Sequence, residues 1–143
     1  MSSSSRLLAT ASMLAFALGW FRSPVLGGGE TEARDEIEST LRGMERGIAS
    51  RQLPAVLAGC VSDSSLVRTL RARYLGFFEL DSLSCSERLT ALELAGDTAR
   101  ATIEEQITAH EHGRAVIDGS WRRRAFVRRD DRWLVARDEE SLP

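Results

Sequence analysis

Lysine is missing from this chain; all nineteen basic residues are arginine. That usage points to a GC-rich coding sequence more than to a chemical requirement. Only two cysteines, Cys60 and Cys85, and two histidines, His110 and His112, are present, so no zinc-finger spacing can be assembled. A formal charge of −2 excludes a global attraction to nucleic acid or anionic lipid. Tyr74 is the only tyrosine. What is there, 143 residues with 43% apolar side chains, suffices for one domain around one core.

Positions 7–21 (LLATASMLAFALGWF) carry no charge. At 15 residues the run falls short of the roughly 17–25 that a spanning helix requires. A Ser-rich start with Arg6 precedes it; Arg22, Ser23, Pro24 and a Gly27-Gly28-Gly29 linker follow. This is the pattern of a secretory signal, cleaved after Gly19 or Gly27, or of an uncleaved membrane anchor. The remaining alternative is a soluble protein whose start is misplaced. Signal or anchor alike puts the domain, residues 30–140, outside the cytoplasm: secreted, periplasmic or tethered by residues 7–21. Removal of residues 1–29 takes away Arg6 and Arg22 and no acid, which leaves the remainder more acidic than the whole.

Residues 30–51 read as a helix. Ala33, Ile37, Leu41, Met44 and Ile48 recur at spacings of three and four, with Thr31 available as N-cap. Residues 53–58 make a short second helix with Pro54 in its first turn and Gly59 at its end. A third helix starts near Asp63 or Ser64. Its apolar stripe holds Leu66, Val67, Leu70, Tyr74, Phe77 and Phe78, with Arg68, Arg71 and Arg73 mostly off it. Such a stripe is core before it is a ligand box. The Tyr74 hydroxyl requires a partner if buried.

Residues 88–137 form four alternating runs, punctuated at Gly96-Asp97, His112-Gly113 and Asp130-Asp131. Antiparallel strands with short connections, curled around the upstream helices, follow from that pattern. In the second run Ala99, Ala101, Ile103, Ile107 and Ala109 share a face opposite Arg100, Thr102, Glu104, Gln106, Thr108 and His110. Glu105 sits on the apolar face. It is near a strand end, paired with an arginine from a neighbouring strand, or lining a cavity. In the third run Trp121, Arg123, Ala125 and Val127 oppose Arg122, Arg124, Phe126 and Arg128; in the fourth, Trp133 and Val135 oppose Leu134 and Ala136. Large apolar groups on both faces suit a sheet packed by helices on one side and by a second subunit on the other.

The order of these elements, with "AGDTARATI" in the first hairpin and "RAFVRRDDRWLVARDEE" in the last, resembles the nuclear-transport-factor-2-like (SnoaL-like, cystatin-like) superfamily over about residues 30–140. The resemblance implies an α+β cone, a bent antiparallel sheet of about four strands wrapped on three N-terminal helices with a pocket between. The usual early hairpin between the second and third helices is shortened or absent here. Some relatives are isomerases, dehydratases or polyketide cyclases, and many are non-catalytic binding domains, frequently dimeric.

An enzyme of this type requires a base and an electrophilic partner facing one cavity. The candidates are Glu105 and Tyr74, with Glu93, Asp118 and His110 behind them; Trp121, Arg123 and Trp133 complete the expected pocket lining. His110 and His112 share a face, but no second pair of metal ligands accompanies them. Neither a cofactor nor a metal is expected. Alternation splits the arginines of WRRRAFVRR between faces, which disfavours a nucleic-acid grip. Outside the cytoplasm Cys60 and Cys85 are a disulfide candidate, the alternative being two buried thiols. The expected function is a non-catalytic module that binds a small molecule or assembles with a protein, including a second copy through the sheet face. The alternative is a small-molecule isomerase, dehydratase or cyclase using a pocket carboxylate. Membrane contact is expected only through the N-terminal segment.

Overall fold

The computed structural model describes residues 27–142. Three helices come first: α1 (Gly27–Ala49), α2 (Leu53–Leu57) and α3 (Ser64–Tyr74), followed by a 3-10 turn at Phe77–Glu79. Four strands follow: β1 (Asp81–Ala95), β2 (Thr98–Glu111), β3 (Arg114–Arg129) and β4 (Arg132–Ser141). The expected signal or anchor at residues 7–21 lies outside the described residues. Among those described, no helix is long and apolar enough to cross a membrane.

Helix α1 begins at Gly27, ahead of the expected start at residue 30, so Thr31 lies within the helix and is not its cap. Glycine costs only about 1 kcal/mol in a helix interior, so a long helix can extend back through the glycines. Its stripe of Ala33, Ile37, Leu41, Met44 and Ile48 is buried as the spacing predicts. The helix ends on a left-handed residue, Arg51 at φ 59°, where glycine is usual. The Arg51 N–H donates to Ile48 O at 3.0 Å and the Gln52 N–H to Gly47 O at 2.9 Å, which satisfies the last carbonyls. The Arg51 side chain then donates to the Phe78 and Leu80 carbonyls, tying the end of α1 to the turn that feeds β1. Asp63 caps α3 by accepting from the Leu66 N–H at 2.9 Å.

The strands form one antiparallel sheet in the order β1-β2-β3-β4, curled over the helices. Each expected turn is a two-residue loop. His112 and Gly113, and likewise Asp130 and Asp131, all have positive φ, the geometry that matches the twist of hairpin strands. Three irregularities interrupt the register, the first at the start of β1 between the pairs Asp81–His110 and Ser84–Thr108. Thr90 is an extra residue in β1 between the pairs Leu89–Ile103 and Ala91–Thr102. Ala136 is an extra residue in β4 between Phe126–Val135 and Ala125–Arg137. Because side chains alternate with period two, each bulge turns every residue beyond it to the other face.

The core joins the α1 stripe, Val56, Leu66 and Leu70 to the inner row of β2, and then to Phe126, Trp133 and Val135. The outer edge of β4 is met by residues 59–61, with Val61 N–H donating to Val135 O and Val135 N–H to Gly59 O, both at 2.9 Å. The outer edge of β1 is capped by α1 instead. Arg42 Nη2 donates to the Glu87 carbonyl at 2.9 Å, and the Glu87 N–H donates to Glu45 Oε1 at 2.6 Å.

Candidate functional site

Glu105 occupies the inner row of β2 between Ile103 and Ile107 and is fully buried. An ionised carboxylate survives there only if donors surround it. Arg73, at the end of α3, donates to Oε1 from Nη2 at 2.8 Å and from Nε at 3.2 Å. The Tyr74 hydroxyl donates to Oε2 at 2.6 Å, and Arg124 Nη2 reaches the same oxygen at 3.3 Å. Burial pushes the Glu105 carboxyl up, but Arg124, Tyr74 and Arg73 outweigh it and hold it below the usual carboxylate range.

Arg124 is the centre of the assembly and is itself fully buried. Its Nη2 donates to Tyr74 Oη at 3.0 Å and its Nε to Asp138 Oδ1 at 2.9 Å, while Nη1 abuts Glu87 Oε2. Arg122 grips both oxygens of Asp138 from the adjacent inner position of β3. Burial raises Asp138, and the two guanidiniums bring it down below its ordinary value. At the rim Arg73 also reaches Asp118 Oδ2 at 3.2 Å and Ser120 Oγ at 3.0 Å. Three guanidiniums therefore face three buried carboxyls, with Tyr74 bridging Arg124 and Glu105.

Glu87 is the member left short. It stands directly opposite Glu105 on β1, 1% exposed. Its contact with Arg124 lacks hydrogen-bond geometry, so neither carboxyl oxygen accepts a hydrogen bond among the described residues. Burial and then the neighbouring Glu105 push its pKa up to about 8, against the pull of Arg124.

No family model matches the chain, and no curated protein matches it. Solved structures do. A nuclear-transport-factor-2-like protein with a cystatin-like fold from Novosphingobium aromaticivorans superposes with a TM-score of 0.65 at 19% identity, over 78% of this chain and 82% of that one. The chain has the nuclear-transport-factor-2-like fold. A second such protein, of unknown function, from Shewanella oneidensis gives 0.60 at 16% identity over 76% of this chain and 98% of that one. A hexachlorocyclohexane dehydrochlorinase gives 0.60 at 12%, over 79% and 91%. At these identities the likeness establishes the fold alone.

Within this nuclear-transport-factor-2-like fold the expected site residues part company. Tyr74 and Glu105 come together as bonded neighbours, with Asp118 at the rim. Trp133 is buried, and its carbonyl accepts from Thr40 Oγ1 at 2.8 Å, but its place is in the apolar core. Trp121 and Arg123 stand on the outer face of the sheet, because Arg122, Arg124 and Phe126 take the inner one. Glu93 and His110 are exposed. Cys60 and Cys85 are free thiols, contrary to the expected disulfide. Cys60 bridges to β4 and Cys85 lies in β1, at opposite edges of the sheet. Sequence reasoning missed Glu87, Arg73, Arg122, Arg124 and Asp138. Among the described residues no group of three metal-ligating side chains converges.

Among the described residues, core side chains and the charged cluster occupy the inner face of the sheet, where a pocket was expected. Three open surface grooves, of about 520, 330 and 610 Å³, lie elsewhere, lined by α2 with the start of α3, by α1 with the β3–β4 turn, and by the β2–β3 turn. None is lined by Glu87, Glu105, Tyr74 or Arg124. A carboxylate with its oxygens engaged and its pKa lowered is a poor proton acceptor. The cluster's evident capacity is to fix helix α3 and all four strands to one another.

Proposed function

We propose that this chain is a non-catalytic assembly module that works outside the cytoplasm, exported or tethered by residues 7–21. The observation that supports the non-catalytic reading is the engagement of the buried carboxylate on the inner face. Glu105, the best-placed base, is fully buried and saturated by Arg73, Tyr74 and Arg124. The competing isomerase, dehydratase or cyclase reading needs a free carboxylate beside an open cavity, and the geometry gives it no support.

The outer sheet face is the surface offered to a partner, and we take a second copy as its occupant. Trp121, Ala125, Val127, Leu134 and Ala136 are half-buried there, and Ile117 on the same face is 65% exposed. Arg100, Arg123 and Arg137 are interspersed with Glu93, Glu104 and Glu139 on this face, and a two-fold contact needs such a self-complementary patch. Sedimentation velocity of the full chain should show dimers. Trp121→Arg should give monomers with an unchanged circular-dichroism spectrum. Wild-type monomers at high micromolar concentration would remove the assembly reading. Fractionation of expressing bacteria with N-terminal sequencing tests the export reading, which fails if intact chain remains in the cytoplasm.

A further inference from the structure

The buried cluster has an orphan that assembly of a rigid scaffold does not explain. Glu45 and Arg42 of α1 hold the Glu87 backbone and leave its carboxyl alone. From α3, Tyr74 and Arg73 direct their donors to Glu105. Arg124 from β3 gives its well-aligned bonds to Asp138 of β4 and to Tyr74. On β1 the thiol of Cys85 is two residues away on the same face, and burial and Glu87 hold it protonated. Only Arg124 Nη1 meets the Glu87 carboxyl among the described residues, as an ion pair without hydrogen-bond geometry, while two carboxyls face each other across β1 and β2. A carboxylate that accepts no hydrogen bond at 1% exposure and faces a second carboxylate is costly, and one proton lowers the cost.

We propose that Glu87 is a buried proton-binding site: it folds as a neutral carboxylic acid shared with Glu105, and this proton locks the domain. The proton belongs to the pair, but Glu105 is occupied by its arginines and tyrosine, so Glu87 is where it resides. The neutral acid becomes a donor toward Glu105, which turns a repulsive contact into a hydrogen bond. Arg124 is then left to balance Glu105 and Asp138 with help from Arg73 and Arg122.

The direction of the pH response follows. The folded-state value of about 8 lies above the ordinary 4.5, so the folded chain holds the proton more tightly than the unfolded one. The stabilisation is complete below the ordinary value and is lost as pH rises through the folded one. Asp138 and Glu105 are shifted down and act at lower pH, outside this window.

Infrared difference spectroscopy of the full chain against Glu87→Gln should show a neutral-carboxyl C=O band at pH 7 that the variant lacks. The wild-type unfolding constant should rise up to about tenfold per pH unit between roughly pH 5.5 and 7.5. That of E87Q should stay flat. A wild type without the band, a band that persists in E87Q, or a flat wild-type profile would each overturn the site. If E87Q fails to fold, the wild-type band and slope still decide.

Discussion

Arg124→Met removes the guanidinium on which three buried carboxyls converge and keeps an unbranched apolar side chain about as long as the arginine stem. Asp138 retains Arg122, and Glu105 retains Arg73 and Tyr74, whereas the Glu87 carboxyl loses its one ion pair among the described residues. Removing one partner from a fully buried ion pair costs about 3–5 kcal/mol. The compensation that Arg73 and Arg122 supply places this change toward the lower end, about 3 kcal/mol. Against a total of about 5–15 kcal/mol for a domain, that is a large fraction. Urea unfolding followed by tryptophan fluorescence would report it, because Trp133 is buried and loses its environment on unfolding. A second substitution sharpens the test. Glu87→Leu in the Arg124→Met background replaces the stranded acid by an apolar side chain and should recover more than half of the loss. A loss below about 1 kcal/mol for Arg124→Met alone would refute the claim that the cluster holds the helices to the sheet.

Gly47→Ala should destabilise although alanine is the better helix former. The new methyl would lie 2.8 Å from Val56 N, so α2 must move, and overpacking of this kind costs about 1–3 kcal/mol in the same urea assay. Cys60 and Cys85 should both fail to react with a thiol reagent in the native protein and both react in denaturant without reductant. Burial pushes Cys60 up to about 12 and raises Cys85 likewise, and reactivity follows the thiolate.

Helices, strand turns and the inner row of β2 were legible because each rests on local chemistry: periodicity, a cap or a two-residue loop. Arg124 was within reach of the same logic. The His112-Gly113 loop pairs Glu111 with Arg114, which sets Ala101 opposite Arg124 and Ile103 opposite Arg122. Since Ala101 and Ile103 face inward, so must both arginines. Choosing the Trp121 and Arg123 face by its aromatic residue overlooked that register. Glu87 and Asp138 were beyond such counting. Without the extra residue at Thr90, Arg88 would oppose Glu105 and Glu87 would point to solvent. Without the one at Ala136, Arg137 would occupy the inner position opposite Arg124. Alternation carries no mark of a bulge, so the two acids that complete the cluster are set by tertiary fit.

The clamp that α1 places on β1 limits how copies of this molecule can meet. With the amide and carbonyl of Glu87 occupied by Glu45 and Arg42, an incoming strand finds no ladder to extend at the middle of that rim. Rim-to-rim growth into fibres is therefore obstructed at that point, and the dimer proposed above would use broadside contact instead, which closes after two copies.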